Sequence, residues 1–418
     1  MKVVHLNTHS YGGAAVVARR LHLASKAAGI TSAFITRFGV PPNAFPGHIP
    51  LTNGRLRYAL RQQAGNPYVY RIGKYVQGLL QPKNLVGRPS GFEIFTGLNN
   101  EGRFADCLQS HEPDVIHLHW IAGFVDHAEF FRQNRRSKFV WTLHDMNPFT
   151  GGCHHADGCQ RFAQCCASCP QLAGTIDPDY AERVIEAKAA ALAVLRDDQL
   201  VITAPSQWIL GLSAQSRITN RFRHVHIDNP SFAAVPARAP LELRRELGLP
   251  GDAKIIAFTA DNLRNPRKGI ELLFAAARLL NRDVHLLGLG QRTSAPADLP
   301  ITFAGRITDE SRLAAYLQSV DVLVSASAAE NSPLVIIEAL SAGTPAVSFN
   351  VGGVSELITE QNGVIVRERS TAALADGLAT ALFRRTYDRH AIAAGASRHS
   401  PSAVMQRYRQ VYDELLAN

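Results

Sequence analysis

The chain has 418 residues, with 44 Lys+Arg against 35 Asp+Glu and a formal net charge of +9. That length exceeds one ordinary hydrophobic core and predicts two domains. No uninterrupted apolar run is long enough to span a bilayer, and nothing near the N-terminus has the make-up of a signal peptide. A soluble, cytoplasmic protein is therefore expected, whose basic balance suits an anionic ligand, an acidic membrane surface or nucleic acid without choosing among them.

Lys2–Asn7 (KVVHLN) reads as a first buried strand, followed by a turn at His9-Ser10-Tyr11-Gly12-Gly13 and a helix over Ala14–Ala28. Gly12 and Gly13 lack the spacing of the dinucleotide fingerprint, which argues against a nicotinamide or flavin cofactor. Gly29 ends that helix, and Ser32–Thr36 is a second strand. Residues 38–100 then break the α/β rhythm. From Pro50 to Phe92 the charged residues are all basic (Arg55, Arg57, Arg61, Arg71, Lys74, Lys83, Arg88), with Tyr58, Tyr68, Tyr70 and Tyr75 between them. Such an insertion, over 50–92, fits anionic lipid at the inner face of a membrane or a lipid-linked acceptor. A solvated face accounts for the same composition equally well. No helix-turn-helix, zinc-finger or RNA-binding motif accompanies it, so no nucleic acid partner is expected.

Asp114–Leu118 and Lys138–Leu143 are two more buried strands, ending in His119 and in His144-Asp145. Histidines at strand ends face the ligand edge of a parallel sheet, where a neutral imidazole can bond a sugar hydroxyl or a phosphate. His117, inside its strand, reads instead as a satisfied core histidine. Residues 150–172 (TGGCHHADGCQRFAQCCASCPQL) hold five of the six cysteines. A cytoplasmic enzyme has no need of disulfides, so clustered thiols there point to metal or redox chemistry. Cys166 and Cys169 have a knuckle-like spacing, and Cys153 and Cys159 complete a tetrahedral set for zinc. His154 or His155 can stand in for a thiolate, and free thiols are the competing reading. With four protein ligands the zinc would be structural, leaving no catalytic cofactor.

Glu182–Leu195 is an Ala-rich helix and Leu200–Ala204 a strand running into Pro205-Ser206-Gln207-Trp208. Val225–Pro230 carries the chain onward, and Pro236, Ala237, Ala239 and Pro240 read as a linker. The second domain opens near Leu241 with the strand Lys254–Thr259. Asn262, Arg264, Arg267, Lys268 and Gly269 follow, just before the helix Ile270–Leu280. Cations ahead of a helix N-terminus are poorly placed for the helix itself and imply a bound anion. Val284–Leu287 and Ile301–Phe303 are further strands, the latter leading to Gly305-Arg306. Val320–Ser325 is a strand, Ala326–Asn331 a loop, and Ser332 a candidate N-cap with Pro333 opening a helix through Leu340. Gly343 and Pro345 stop it, Ala346–Phe349 is a strand, and Gly352-Gly353 turns into another helix. Thr371–Phe383 and Ser402–Leu416 are helical.

Glu330 and Glu338 mark the mouth of that strand–helix–strand unit. A carboxylate can accept two vicinal hydroxyls, and the free first-turn amides of Leu334 and Val335 welcome an anion. Glu330–x7–Glu338, Gly343-Thr344-Pro345 and Gly352-Gly353…Glu356 together resemble the signature of family 4 retaining glycosyltransferases.

The resemblance covers most of the chain except residues 38–100. It implies an α/β GT-B fold, with two Rossmann-like domains facing each other across a cleft. They would be an acceptor domain at 1–235 and a nucleotide-sugar domain at 241–395, with a terminal helix at 396–418 crossing back. It further implies that the Gly12-Gly13 backbone and Lys268 meet the donor diphosphate and that Gly305-Arg306 meets the nucleobase. By the same resemblance His144 approaches the transferred sugar. The residues themselves assign Glu330 to that sugar's hydroxyls, Glu338 to the ribose, and Asn331, Leu334 and Val335 to the donor site. Where the wider family places an arginine this chain has Asn262, with Arg264 or Arg267 nearby; Arg264 is the expected replacement, Arg267 being expected to point elsewhere. The cysteine-rich segment resembles that of an exopolysaccharide branch which usually has glycine at the place of Cys165, marking Cys165 as the spare.

The expected activity is therefore retaining transfer from a nucleotide-diphosphate sugar to a glycan or lipid-linked acceptor, in bacterial polysaccharide synthesis. A nucleotide-sugar 2-epimerase of the same fold, or a non-catalytic carbohydrate- or partner-binding module, are the alternatives.

Overall fold

The structure, a computed structural model, describes residues 1–39, 45–53, 82–98, 108, 111–232, 237–259, 265–280, 283–290, 296–305 and 307–417. It divides into two compact units, residues 1–228 with 404–418 and residues 229–403. Most of the basic insertion, together with Asn262, Arg264 and Arg306, lies outside the described residues.

The first unit is built on a seven-stranded parallel sheet of β1 (Lys2–His9), β2 (Thr31–Gly39), β3 (His48–Asn53), β4 (Val115–Leu118), β5 (Lys138–Thr142), β6 (Leu200–Ala204) and β7 (Arg223–His226). The strand order is β3-β2-β1-β4-β5-β6-β7, a doubly wound arrangement. β3 was not legible in the sequence, and β7 adds a strand where only a connection was expected. The helices are α1 (Gly13–Ala27), α2 (His127–Gln133), α3 (Tyr180–Leu192) and α4 (Gln207–Gln215).

Strand alternation splits the sheet into two faces. Leu6, Leu118, Phe139 and Trp141 join an apolar cluster with Phe130, Phe131 and Phe149. On β1 and β4, Leu6 pairs with Leu118 and His5 with His117, so His5 and His117 stand side by side on the opposite face.

The second unit has the parallel sheet β8 (Lys254–Thr259), β9 (Val284–Leu289), β10 (Ile301–Phe303), β11 (Val322–Ser325), β12 (Ala346–Phe349) and β13 (Gly363–Val366), in the order β10-β9-β8-β11-β12-β13. Its helices are α5 (Pro240–Leu247), α6 (Ile270–Leu279), α7 (Glu310–Ser319), α8 (Leu334–Ser341), α9 (Thr371–Ala379) and α10 (Arg389–Gly395). Both faces are covered, which is why its strands are continuous apolar runs. Ile255 and Ala257 face a cluster with Leu317, Ile336 and Ile337, while Ile256 and Phe258 face one with Leu273, Phe274 and Leu374.

Two local expectations are corrected. Pro240, read as linker, opens α5 because proline suits the first helical position. Ser332 does not cap α8: Pro333, held extended at φ −68 and ψ 120, is the cap residue, and no side chain caps the helix.

The last helix, α11 (Pro401–Ala417), returns residues 404–418 to the first unit. Its buried Tyr412 Oη meets His117 Nδ1 at 2.7 Å, and Tyr408 Oη meets Thr142 Oγ1 at 2.9 Å. Among the described residues no helix is long and apolar enough to cross a membrane.

Candidate functional site

In the second unit the carboxyl edge of the sheet carries the loop after β8 and the loop between β11 and α8. A single turn, Pro266–Lys268, ends in Gly269 at φ +65. A Cβ there would lie 2.0 Å from the Ala326 carbonyl oxygen, so only glycine lets the two loops close. The Ala328 amide donates to the Arg267 carbonyl at 2.7 Å, completing the clasp.

This clasp brings two cations onto Glu330. Lys268 Nζ donates to Glu330 Oε1 at 2.7 Å, and Arg267 Nη1 reaches the same oxygen at 3.2 Å. Arg267 Nη1 also donates to the Ala329 carbonyl at 2.5 Å. The expectation that Arg267 points elsewhere is therefore wrong, because the Gly269 turn folds residue 267 back onto the loop. Burial alone would raise the Glu330 carboxyl. The charges of Lys268 and Arg267, with hydrogen bonds from Lys268 and Ser327, outweigh it and hold the group below its ordinary value.

Glu338 is buried in the second turn of α8, and Asn331 is buried in the loop before it. Gly353 donates to the Glu330 carbonyl at 3.3 Å, and Asn229 Nδ2 to the Ser332 carbonyl at 3.1 Å, fixing that loop. Leu334 and Val335 open the first turn of α8, ahead of Ile336 and Ile337, whose amides donate to the Pro333 carbonyl; the first two amides have no acceptor within the helix. Gly305 follows β10 and forms an isolated bridge with Gly290.

In the first unit Gly12 and Gly13 open α1 at the carboxyl edge of β1. β4 and β5 end at the same edge, in His119 and in His144. Two buried imidazoles and the half-buried one of His144 form a chain there, with His5 Nδ1 3.1 Å from His119 Nε2 and His119 Nδ1 3.1 Å from His144 Nε2. Burial lowers all three, His144 to about 4, so each is neutral near pH 7 and carries one N–H. His5 Nε2 is buried without a partner. A lone acceptor is tolerated there better than a lone N–H, which assigns the protons of His5 and His119 to Nδ1. His144 then accepts at Nε2 and keeps its proton on Nδ1.

His117 has both nitrogens engaged at 2.7 Å, with Tyr412 Oη and Thr142 Oγ1. His5, His117 and His119 are the one group of potential ligands among the described residues whose ligating atoms lie within 4.8 Å of one another. The hydrogen bonds account for that packing without an ion.

Asp145 accepts from Trp120 Nε1 at 2.6 Å and from the Asn147 amide at 2.9 Å, and bonds His154 Nδ1 at 2.7 Å. Burial would raise its carboxyl, but the nearby His154 and these hydrogen bonds take it down to about 2. His154 also meets Thr96 Oγ1 at 3.0 Å. Sequence reasoning missed His5, Trp120 and this use of His154. Trp120 and His154 did carry a signal, since they adjoin His119 and Cys153. Cys153, Cys159, Cys166 and Cys169 line one cavity, and Cys165 is not on its wall.

Residues 253–383 match the family described as "Glycosyl transferases group 1". The whole chain is similar to a protein of Escherichia coli (strain K12) described as a colanic acid biosynthesis glycosyl transferase, WcaC. The two are 24% identical over 99% of this chain and 100% of that protein. The fold is similar to sucrose-phosphate synthase from Thermosynechococcus elongatus, with a TM-score of 0.67, 21% identity and coverage of 100% and 99% of the two chains. It is also similar to Anabaena HepE in complex with UDP and glucose, with a TM-score of 0.62, 17% identity and 99% coverage of both. The two doubly wound sheets, the returning α11 and the matched domain lead to one conclusion: the chain is a glycosyltransferase of the GT-B fold, carrying the group 1 glycosyl transferase domain in its second unit.

Proposed function

We propose that the protein transfers a sugar from a nucleoside-diphosphate sugar to a glycan or lipid-linked acceptor in polysaccharide synthesis, with retention of anomeric configuration. The observation that carries the reading is the Lys268–Glu330–Arg267 cluster beside the uncapped N-terminus of α8. Cations and free amides suit a diphosphate, and carboxylates suit hydroxyls. The likeness to a structure holding UDP and to a protein named for colanic acid supports the same reading.

In this reading Lys268 leaves Glu330 for the diphosphate, with the amides of Leu334 and Val335, and the Gly12-Gly13 backbone is assigned to the donor from its sequence position. Glu330 is thereby freed to accept hydroxyls of the transferred sugar, and Glu338 takes those of the ribose. Asn331 lines the same site, and Gly305 meets the nucleobase. Asn262, Arg264 and Arg306 are assigned to the donor from their sequence positions. The acceptor oxygen bonds to the anomeric carbon as the carbon–phosphate oxygen bond breaks on the same face. The acceptor proton passes to the departing phosphate oxygen, so no side-chain base and no catalytic cofactor is needed. His144, neutral and with its proton on Nδ1, orients the sugar. The basic segment 50–92 is assigned to anionic lipid on the cytoplasmic side of a membrane.

A thermal-shift screen of nucleotide sugars should select one donor, because a ligand bound only by the native state stabilises it. Turnover of that donor should then require an acceptor. Equal turnover without acceptor would favour hydrolysis or epimerisation and overturn the proposal.

A further inference from the structure

We propose that Cys153, Cys159, Cys166 and Cys169 bind one zinc ion as a closed structural centre in the first unit. The four thiols come from three points along residues 153–169, yet they line one cavity together with Phe95, Ala156 and Phe162. The space there, about 10 Å³, holds a single water-sized sphere. Cys165, adjacent to Cys166 in sequence, is excluded from the wall.

The backbone around the thiols is held in conformations that non-glycine residues rarely adopt. Among the described residues, positive φ outside glycine occurs at Glu112, Asp157, Cys166 and Ser168, and the last three lie within this segment. Such strain persists only where the surroundings over-determine it. A centre joining distant thiols does so.

The Leu172 amide donates to the Cys169 carbonyl at 3.0 Å and the Cys166 amide to the Arg161 carbonyl at 3.0 Å, so tight turns hold both ends of Cys166–Cys169. Gln171 is itself fixed, since Arg88 Nη2 donates to its Oε1 at 2.6 Å and its Nε2 donates to the His155 carbonyl at 2.6 Å.

A buried cation lies beside the thiols. Lys188 is buried, and its ammonium donates to the carbonyls of Asn147 at 2.6 Å and Thr150 at 3.1 Å. Cys153, Asp145 and Cys166 are the groups whose charges act on it. Arg88, half-buried, faces Cys169 and Cys153 together with the carboxylates of Asp157 and Glu93. A buried cation needs negative charge close by, and thiolates at Cys153 and Cys166 would add to what Asp145 gives Lys188.

No three of the four sulfurs lie within 4.8 Å of one another, a spacing that only the histidine trio reaches among the described residues. Binding must therefore draw the thiolates inward to Zn–S distances of about 2.3 Å. With four protein ligands there is no open position for chemistry. The effect on the site is indirect: the closed segment presents His154 to Asp145, next to His144.

The test uses the full-length protein purified without added metal and read by elemental analysis and native mass spectrometry. About one zinc per chain is expected, with four of the six thiols shielded from a thiol reagent until a chelator is added. Exchange with Co²⁺ should give thiolate-to-cobalt charge-transfer absorption. Cys165→Ser should keep the zinc, and Cys166→Ser and Cys169→Ser should each lose it. Zinc-free wild type with an unchanged melting temperature, or loss of zinc from Cys165→Ser, overturns the proposal. The wild type and Cys165→Ser decide the matter even if the other variants fold poorly. Metal content is read without substrate, so it stands apart from the donor reading.

Discussion

Lys268 and Glu330 are 62 residues apart in sequence and 2.7 Å apart in space, joined by a hydrogen bond from Nζ to Oε1. Arg267 shares that oxygen, so one carboxylate holds two cations where a diphosphate is proposed to bind. Donor binding on this geometry is an exchange of partners, in which phosphate replaces carboxylate on Lys268.

Lys268→Ala should therefore weaken nucleoside-diphosphate binding by about 1.5–3 kcal/mol, the range for a hydrogen bond to a charged group. Glu338→Ala should cost about 1–3 kcal/mol by leaving ribose hydroxyls without their acceptor. Glu330→Ala should harm turnover more than binding of the free diphosphate. Isothermal titration at fixed ionic strength, with Arg264→Ala and Arg267→Ala in the same series, ranks the cations. Wild-type affinity in Glu338→Ala would remove it from the donor site.

Gly269→Ala should disrupt the clasp. The new Cβ meets the Ala326 oxygen at 2.0 Å in a backbone held at φ +65. The conformational term alone is about 1–2 kcal/mol, and the clash adds to it. A fall in melting temperature, with weaker diphosphate binding in the surviving protein, is expected. An unchanged melting curve would show that the two loops can part at no cost.

The buried and half-buried imidazoles predict an acid-sensitive first unit. Burial takes His127 to about 3 and His144 to about 4, from an ordinary 6.5, and lowers His5, His117 and His119. The unfolded chain gains protons below pH 6.5 that the folded chain refuses, so stability is complete above that value and lost as pH falls toward 4. Each such histidine contributes a slope of up to about 1.4 kcal/mol per pH unit. Urea unfolding at pH 7, 6 and 5 should show the loss, and His127→Phe should reduce the slope. An identical slope in that variant would exclude His127 as a contributor.

Retention can be read directly. NMR of the first-formed product should show the donor's anomeric configuration, and an inverted centre would reject front-side transfer. His144→Ala should slow transfer while leaving nucleotide binding intact. His119→Phe, which removes the donor to His144 Nε2, should slow transfer in the same direction, whereas His119→Gln, able to donate again, should recover part of the rate. Equal rates in all three variants would detach the imidazole chain from the reaction.

What the amino-acid order settled by itself was periodicity and punctuation. The apolar runs Leu200–Ala204, Lys254–Thr259, Ile301–Phe303 and Ala346–Phe349 coincide with β6, β8, β10 and β12, because strands covered on both faces leave no polar alternation to misread. Glycine and proline stopped α8 where expected, since a residue at φ +77, as at Gly343, is favourable only for glycine.

Tertiary structure alone decided what meets across the chain. His5 lies 114 residues from His119, and no pattern within β1 distinguishes a polar strand position from a link in an imidazole chain; the parallel register does. His154 was read beside the cysteines because it is adjacent to one of them, yet folding turns its ring to Asp145. Arg267 was misdirected by placing it where the helix begins. Gly269 instead closes the turn Pro266–Lys268 onto Ala326, and that single backbone contact carries the guanidinium to Glu330. Periodicity reports which face a residue occupies. Register and loop closure decide what that face touches.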